Sequence, residues 1–283
     1  MTAQENLLPF SGEVVVIKPT TNWLAIDFRL LWQFRDLLLA LTWRDIRLRY
    51  RQTALGVAWV ILQPLLGAGI FAIVFGVIAK MPNQGVPYFV ISYSGLLGWT
   101  LFSGSLTRIG SCVVANAELI RKVFFPRLLL PLGIVPCALM DFAIGAVFMG
   151  VLMIIYRIAP SWHLIFFPLS AIILAGMALG LGMVAGSLSV KYRDVQYVMP
   201  LFVQMLMFAS PVGYSAAAVP AYIKPFYDLN PLVAPLEMMR WSLIGVGHVN
   251  VGNLLYSILV TVVLLALGLV VFRITERKFA DVI

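Results

Sequence analysis

The stretch LLPLGIVPCALMDFAIGAVFMGVLMIIY, residues 129–156, carries a single charge, Asp141, in 28 residues. About 20 apolar residues at a rise of 1.5 Å each cross the roughly 30 Å hydrocarbon core of a bilayer. This stretch is therefore predicted to be a transmembrane helix. The same pattern recurs at about 54–79, 88–115, 164–188, 197–217 and 252–272, which makes six expected spans. Composition points the same way. Of the 283 residues 61% are apolar and only 11% are charged, and the mean hydropathy is +0.97. A soluble domain is about 45–50% apolar and about 25% charged. The expected fold class is an all-α polytopic membrane protein. Disordered, collagen-like and disulfide-scaffold classes are excluded, and little polar sequence is left for a water-soluble catalytic domain.

The net charge of +8 has a topological meaning in such a chain. Basic residues crowd the segment up to Arg51, the second-to-third loop, the fourth-to-fifth loop and the tail, with fifteen in these regions against four on the opposite side. Both termini are therefore expected in the cytoplasm, and no nucleic-acid partner is implied. Residues 1–27 carry Glu5, Glu13, Lys18 and Asp27, and their longest apolar run is Val14–Ile17. No cleavable signal is expected there, and the segment is assigned no role. Cys112 and Cys137 lie in apolar surroundings and are read as packing residues.

Two regions break the spanning pattern. In 28–51 a polar stripe (Arg29, Gln33, Asp36, Ala40, Arg44, Arg47, Arg51) recurs at helical spacing, and Leu31, Phe34, Leu38, Leu41 and Leu48 fall on another face. This predicts an amphipathic helix along the cytoplasmic membrane surface, either a plain anchor or a platform that also touches a cytoplasmic partner. In 218–250 the apolar pieces are too short to span, and Pro220, Pro225, Pro231 and Pro235 interrupt them. A re-entrant or interfacial hairpin between the fifth and sixth spans is expected, at the outer mouth of a pathway.

No G-x-x-x-x-G-K-[ST] phosphate loop, no H-E-x-x-H and no zinc spacing occur. No ATP binding by this chain alone, no metal site and no catalytic residue are expected. His163 and His248 are read as structural or solvent-facing. Charges inside spans are costly and point to function. Arg108 lies in the second span and Asp141 near the middle of the third. They are expected to pair, either to lock two helices or to line a translocation path. Gly176, Gly180, Gly182 and Gly186 in the fourth span form two interleaved small-xxx-small pairs that admit a close neighbour, from the same chain or from a second copy. The outer half carries Tyr88, Phe89, Tyr93, Trp99 and Phe102, with Tyr214, Tyr222, Phe226, Tyr227 and Trp241 around the hairpin. They are an interfacial aromatic belt or a lining that stacks on sugar rings; for the latter Tyr93, Trp99, Phe102 and Tyr214 are the candidates. Two short loops, 116–131 and 189–200, mix charge with bulky apolar residues. They read either as ordinary positive-inside loops or as short helices that plug into a soluble subunit.

The stretches RYRQTALGVAWVILQPLL (49–66), PYFVISYSGLLGWTLFSGSL (87–106), LIRKVFFPRLLLP (119–131), YRDVQYVMP (192–200), SPVGYS (210–215), NP (230–231) and ERKFADVI (276–283) carry a family resemblance. In order and content they resemble the permease subunits of polysaccharide ABC exporters, in the O-antigen and teichoic acid branch, with the capsule exporter permeases as near relatives. The resemblance covers the chain from about residue 28 to the end. It implies a homodimer of this chain bound to two copies of an ABC ATPase subunit, with ATP and Mg on that partner and no cofactor here. It implies a cell inner membrane location and a polysaccharide substrate linked to a polyprenyl pyrophosphate lipid. An interface helix then maps to 28–51, the transmembrane domain to 52–283 and a periplasmic gate hairpin to 218–247. The ATPase-coupling residues map to Glu118, Leu119, Ile120, Arg121 and Lys122 and to Tyr192, Arg193, Asp194 and Val195. Arg47, Arg49 and Arg51 are placed to attract the lipid pyrophosphate by charge.

Three other readings remain at this point. One is an ABC permease for a small lipid or drug. Another is a membrane-embedded glycosyl transferase, although the cytoplasmic acidic residues are scattered rather than paired. The third is a passive channel.

Overall fold

The computed structural model describes residues 28–51, 56–81, 85–216, 219–220 and 222–276. Segment 1–27 and nearly all of the tail motif 276–283 lie outside the described residues. Among the described residues the chain is all helical. Helices α1 (Phe28–Gln33) and α2 (Arg35–Arg51) are followed by α3 (Ala58–Phe71), which continues as π-helical turns over Ala72–Ile78. Then come α4 (Tyr88–Ala115), α5 (Ala117–Lys122), α6 (Leu129–Ile155), a 3₁₀ turn (Trp162–Phe166) and α7 (Phe167–Lys191). The chain ends with α8 (Val195–Phe208), α9 (Lys224–Asp228), α10 (Val233–Ile244) and α11 (Val251–Glu276).

Five helical stretches are long and apolar enough to cross a membrane: Ala58–Ile78, Tyr88–Ala115, Leu129–Ile155, Trp162–Lys191 and Val251–Glu276. The expected span at 197–217 is instead the 14-residue helix α8, about 21 Å long at 1.5 Å per residue. The chain leaves the helix at Ala209, and Ser210 to Gly213 form buried, non-helical backbone.

Burial sorts the spans by polarity. The most apolar window of α4 has a mean hydropathy of only 1.2, yet 78% of its residues are buried. The α11 window reaches 2.8 with 17% buried, and the α3 stretch 2.3 with 11%. A span clothed by other helices can carry more polar side chains, because fewer of them face hydrocarbon. Helix α4 is thus the central post, and α3, α6, α7 and α10 pack around it. Its Ser94, Ser103, Thr107 and Ser111 hydroxyls donate to carbonyls three or four residues back.

The glycines of α7 serve two neighbours within the same chain. A Cβ at Gly180 would meet the Leu264 backbone of α11 at 2.6 Å, and one at Gly182 would meet Ile109 of α4 at 2.6 Å. Gly268 of α11 faces Gly180 in return, where a Cβ would run into its carbonyl oxygen. Small residues on both sides let α7 lie close to both helices.

Contacts fix the two ends. Ser189 donates to the Gly110 carbonyl, so α4 and α7 finish at the same end. The backbone N–H of Arg127 donates to Glu276 at 3.0 Å, which brings the last turn of α11 there as well. Helices α2 and α5 and the 192–194 turn belong to this basic end. At the other end α10 is almost wholly buried, and Trp241 packs on His163 with the rings tilted and their centroids 4.0 Å apart. Helix α10 stops at Gly245, whose φ of +68° suits glycine and whose N–H bonds the Trp241 carbonyl.

Candidate functional site

The site grows from α2. The apolar face expected over 28–51 packs on protein along most of its length, while Leu48 is 53% exposed. Leu31, Phe34, Leu38 and Leu41 pack with Ile120, Phe125, Leu128 and Leu129. The reason is supply: the loop between α5 and α6 and the start of α6 offer an apolar ridge at the same level. Trp32, Leu39 and Trp43 remain exposed on another face. Thr42 donates to the Gly133 carbonyl at 3.1 Å and so ties α2 to α6.

Polar bonds then tie α2 to the rest of the basic end. Arg44 pairs with Asp45 at 2.8 Å and donates to the Asn116 side chain at 2.8 Å. Asn116 is the hinge residue between α4 and α5, and its own amide donates to the Cys112 carbonyl. One turn further along, Arg49 meets Asp141 of α6 at 3.0 Å, and Tyr50 donates to the same carboxylate. Arg108 of α4 reaches Asp141 at 3.2 Å while its Nε donates to the Gly104 carbonyl. The two intramembrane charges expected to pair are therefore brought together, with α2 as a third member. One carboxylate joins three helices. Burial, and after it the bond to Asp141, raises the Tyr50 phenol above its ordinary pKa.

Two cavities flank this cluster. The larger, about 610 Å³, lies between α2, α4 and α6, with Arg44, Arg49 and Arg108 on its wall. The smaller, about 110 Å³, reaches from Asp141 and Arg108 toward Gln63 and Pro64 of α3. Of the three arginines assigned to the lipid pyrophosphate, Arg49 lines both cavities. Arg47 is exposed, with its guanidinium 5.4 Å from the Trp43 ring centre, and Arg51 is exposed too.

The coupling candidates sit at the basic end. In α5, Ile120 is buried as an anchor, while Glu118, Arg121 and Lys122 are exposed and Leu119 is half-buried. Glu118 and Lys122 pair at 3.0 Å one turn apart. Val123 and Phe124, which follow, are also exposed. In the second loop Tyr192, Arg193 and Asp194 are exposed and Val195 is half-buried. Glu276 accepts from Arg127 and meets Arg273 at 3.5 Å, so the end of α11 is fastened to the loop after α5.

The aromatics do not gather along one path. Tyr93, Trp99 and Phe102 are 0, 5 and 0% exposed inside the protomer. Tyr93 donates to the Gly145 carbonyl, and Trp99 packs on Phe102. As the least apolar span, α4 is enclosed, so its rings fill the core and offer no face to a passage in this conformation. Tyr214 is half-buried at the opposite end, 5.8 Å from the Phe75 ring, and Tyr227 donates to its hydroxyl.

A second charged cluster was not expected from the sequence. Arg240, one of the four basic residues expected on the side opposite the basic loops, is fully buried and ion-paired with Glu237. Its guanidinium also donates to the carbonyls of Pro211 and Val212, at 2.7 and 3.2 Å. Glu237 accepts from the Ala216 N–H at 2.9 Å and the Ser215 hydroxyl at 3.3 Å. Ser92 donates to the Gly213 carbonyl, and Asn230 to that of Ala209. These groups satisfy the broken backbone that follows α8, which a low-dielectric site requires. The available signal was the Glu-x-x-Arg spacing inside the apolar run LEMMRWSLI, one helical turn apart.

Comparison with known proteins places this architecture. The O-antigen export system permease protein RfbA of Myxococcus xanthus is 30% identical over 257 residues, covering 89% of this chain and 97% of that protein. The RfbA protein of Klebsiella pneumoniae is 27% identical over 249 residues, 88% of this chain and 95% of its own length. The polysialic acid transport protein KpsM of Escherichia coli is 27% identical over 246 residues, with 84 and 93% covered. Residues 36–244, from the first turn of α2 to the end of α10, match the ABC-2 type transporter membrane family, and the chain belongs to that family.

Proposed function

We propose that this chain is the membrane permease subunit of an ATP-driven exporter that moves polysaccharide, carried on a polyprenyl pyrophosphate lipid, from the cytoplasm across the inner membrane. The observation that carries the reading is the match to O-antigen export permeases along nearly their full length. The permease works as a homodimer with two copies of an ABC ATPase subunit, which bind ATP and Mg. Its basic end is cytoplasmic, with both termini there, as the clustering of basic side chains supports. Helix α8 and the buried backbone after it make the sixth crossing, α1 and α2 form the interface helix, and α9 and α10 form a periplasmic re-entrant gate.

Coupling runs through α5 (Glu118 to Lys122) and the Tyr192–Val195 turn. Both present charged side chains at the surface, with exposed Phe124 just after α5 and Tyr192 in the turn, and both join directly to long helices. A stroke of the ATPase dimer displaces α4 and α7, and the Arg44–Asn116 bond draws α2 along. Packed helices shift between discrete arrangements rather than deforming continuously. Arg47, Arg49 and Arg51 raise the local concentration of the anionic lipid head. Tyr214, half-buried beside Phe75 and Tyr227, is the aromatic placed to meet a sugar ring at the outer end.

Mild extraction from the native membrane, with mass spectrometry of the bound proteins, tests the reading. A stoichiometric chain bearing a phosphate loop, and loss of surface glycan on deletion, is the expected result. An intact, folded chain with no ATPase partner would overturn it. Asp194→Ala is expected to uncouple ATP hydrolysis from export, and unchanged export with unchanged stimulated hydrolysis would remove that residue from the path.

A further inference from the structure

We propose that the cavity between α2, α4 and α6 is a binding site for the phosphate-bearing headgroup of a lipid. Its volume of about 610 Å³ falls within the roughly 300–1,000 Å³ of small-molecule sites. Its wall has two chemistries. Leu48, Ala115 and Ile134 make an apolar side, and Arg44, Arg49 and Arg108 make a cationic one. Asp45 is the carboxylate on the lining, while Asp141 neutralises from the adjoining smaller cavity. Three guanidinia against two carboxylates leave an excess positive charge at a half-buried site. Guanidinium suits phosphate because its planar N–H donors match two phosphate oxygens at once. An apolar wall beside a cationic one fits an amphiphile with an anionic head.

Depth agrees with that ligand. Helix α4 has 28 residues, so at 1.5 Å per residue it is about 42 Å long and overhangs a 30 Å core by about 6 Å on each side. Arg108 lies seven residues before its end at Ala115, about 10 Å back along the axis. That puts the Arg108 backbone within one turn of the hydrocarbon boundary, with its guanidinium turned inward to the Gly104 carbonyl, so the cationic wall lies just below the level at which lipid headgroups begin. The site is distinct from the exposed Arg47 and Arg51, which do not line it. It requires only that the chain resides in a membrane, so its failure would leave the export reading standing.

The test uses the full-length protein with its co-purifying partners, washed free of loose lipid and examined by native mass spectrometry. The probes are phosphatidylglycerol, polyprenyl diphosphate and inorganic pyrophosphate. Wild type is expected to keep one phosphate-bearing lipid per protomer. Arg44→Gln and Arg108→Gln are each expected to weaken that binding about tenfold, as loss of one charge-assisted contact does. Ala115→Trp keeps every charge, replaces an exposed residue and fills the cavity, so it guards against misfolding of the arginine variants; it is expected to weaken binding as well. Displacement of phosphatidylglycerol by polyprenyl diphosphate would identify the export lipid as the occupant. Retention of phosphatidylglycerol against it would identify a structural membrane lipid. Equal lipid retention by wild type and all three variants would overturn the site, and so would inorganic pyrophosphate binding as tightly as either lipid.

Discussion

Asp141 carries more connections than its position in an apolar span suggests. It takes Arg49 and Tyr50 from α2 and Arg108 from α4, and its side chain is only 12% exposed. Asp141→Ala leaves two guanidinia facing each other without their shared anion. The expected loss is on the order of 2 kcal/mol, between the values for exposed and fully buried pairs. Thermal unfolding in detergent measures it, and a double-mutant cycle with Arg108→Gln separates the pair from the rest. At Arg240 the environment is drier. Arg240→Ala strands Glu237 and the carbonyls of Pro211 and Val212, at an expected cost of about 3–5 kcal/mol. Replacing Glu237 and Arg240 together by Gln and Met is expected to be milder than Arg240→Ala, because no buried charge is then left alone. A larger loss for the double variant would mean that the bonds the Glu237 carboxylate accepts from Ser215 and Ala216, rather than the stranded charge, dominate. The sequence exposed Arg108 and Asp141 because each interrupts a long apolar run. It hid the roles of Tyr50 and Asn116, which look like ordinary loop and interface residues until α2 folds back on α6.

At the scale of helices, α7 shows how small residues decide who is next to whom. Gly180→Leu puts side-chain atoms where the Leu264 backbone already lies. It is expected to push α11 away and to destabilise by about 1–3 kcal/mol, the usual cost of overpacking. A Cβ at Gly150 of α6 would meet nothing within 4 Å. Gly150→Ala is therefore expected to be neutral or to gain up to about 1 kcal/mol from helix propensity. Equal effects of the two substitutions, measured by thermal unfolding, would contradict the close approach of α7 and α11. The glycine pattern itself was legible in the sequence. Its partners were not, because spacing of 3.6 residues per turn names a face but not what covers it. The same holds for 28–51: periodicity isolates Leu31, Phe34, Leu38, Leu41 and Leu48 as one face, yet an apolar face satisfies lipid and protein alike, and Leu48 stays exposed while the other four pack on protein.

For the whole molecule the sharpest consequence concerns sidedness. Phe124 and Tyr197 are exposed at the basic end, and Tyr222 is exposed in the hairpin region at the other. Cys112 and Cys137 are buried, so they form a quiet background for thiol labelling. In intact cells an impermeant maleimide is expected to label Tyr222→Cys and to spare Phe124→Cys and Tyr197→Cys until the membrane is opened. The reverse pattern would invert the proposed orientation. The α5 loop, the 192–194 turn, α2 and the last turn of α11 meet at one end through bonds such as Arg44–Asn116 and Arg127–Glu276. Any force applied there reaches α4, α6, α7 and α11 together, which is the mechanical requirement for a permease driven from one side.

The sequence alone determined the class of the protein, the positions of five long helices and the asymmetry of basic residues. These follow from apolar length, which a bilayer measures directly, and from charge, which a bilayer excludes. Tertiary structure decided the rest. It shortened the expected span at 197–217 to a 14-residue helix and closed the broken backbone behind it with Arg240, Ser92 and Asn230. It drew Arg49 and Tyr50 onto Asp141 and enclosed Tyr93, Trp99 and Phe102 in the core. Hydrogen bonds and ion pairs between residues far apart in the chain depend on which helices become neighbours, and close packing of glycine faces and polar seams settles that only in three dimensions.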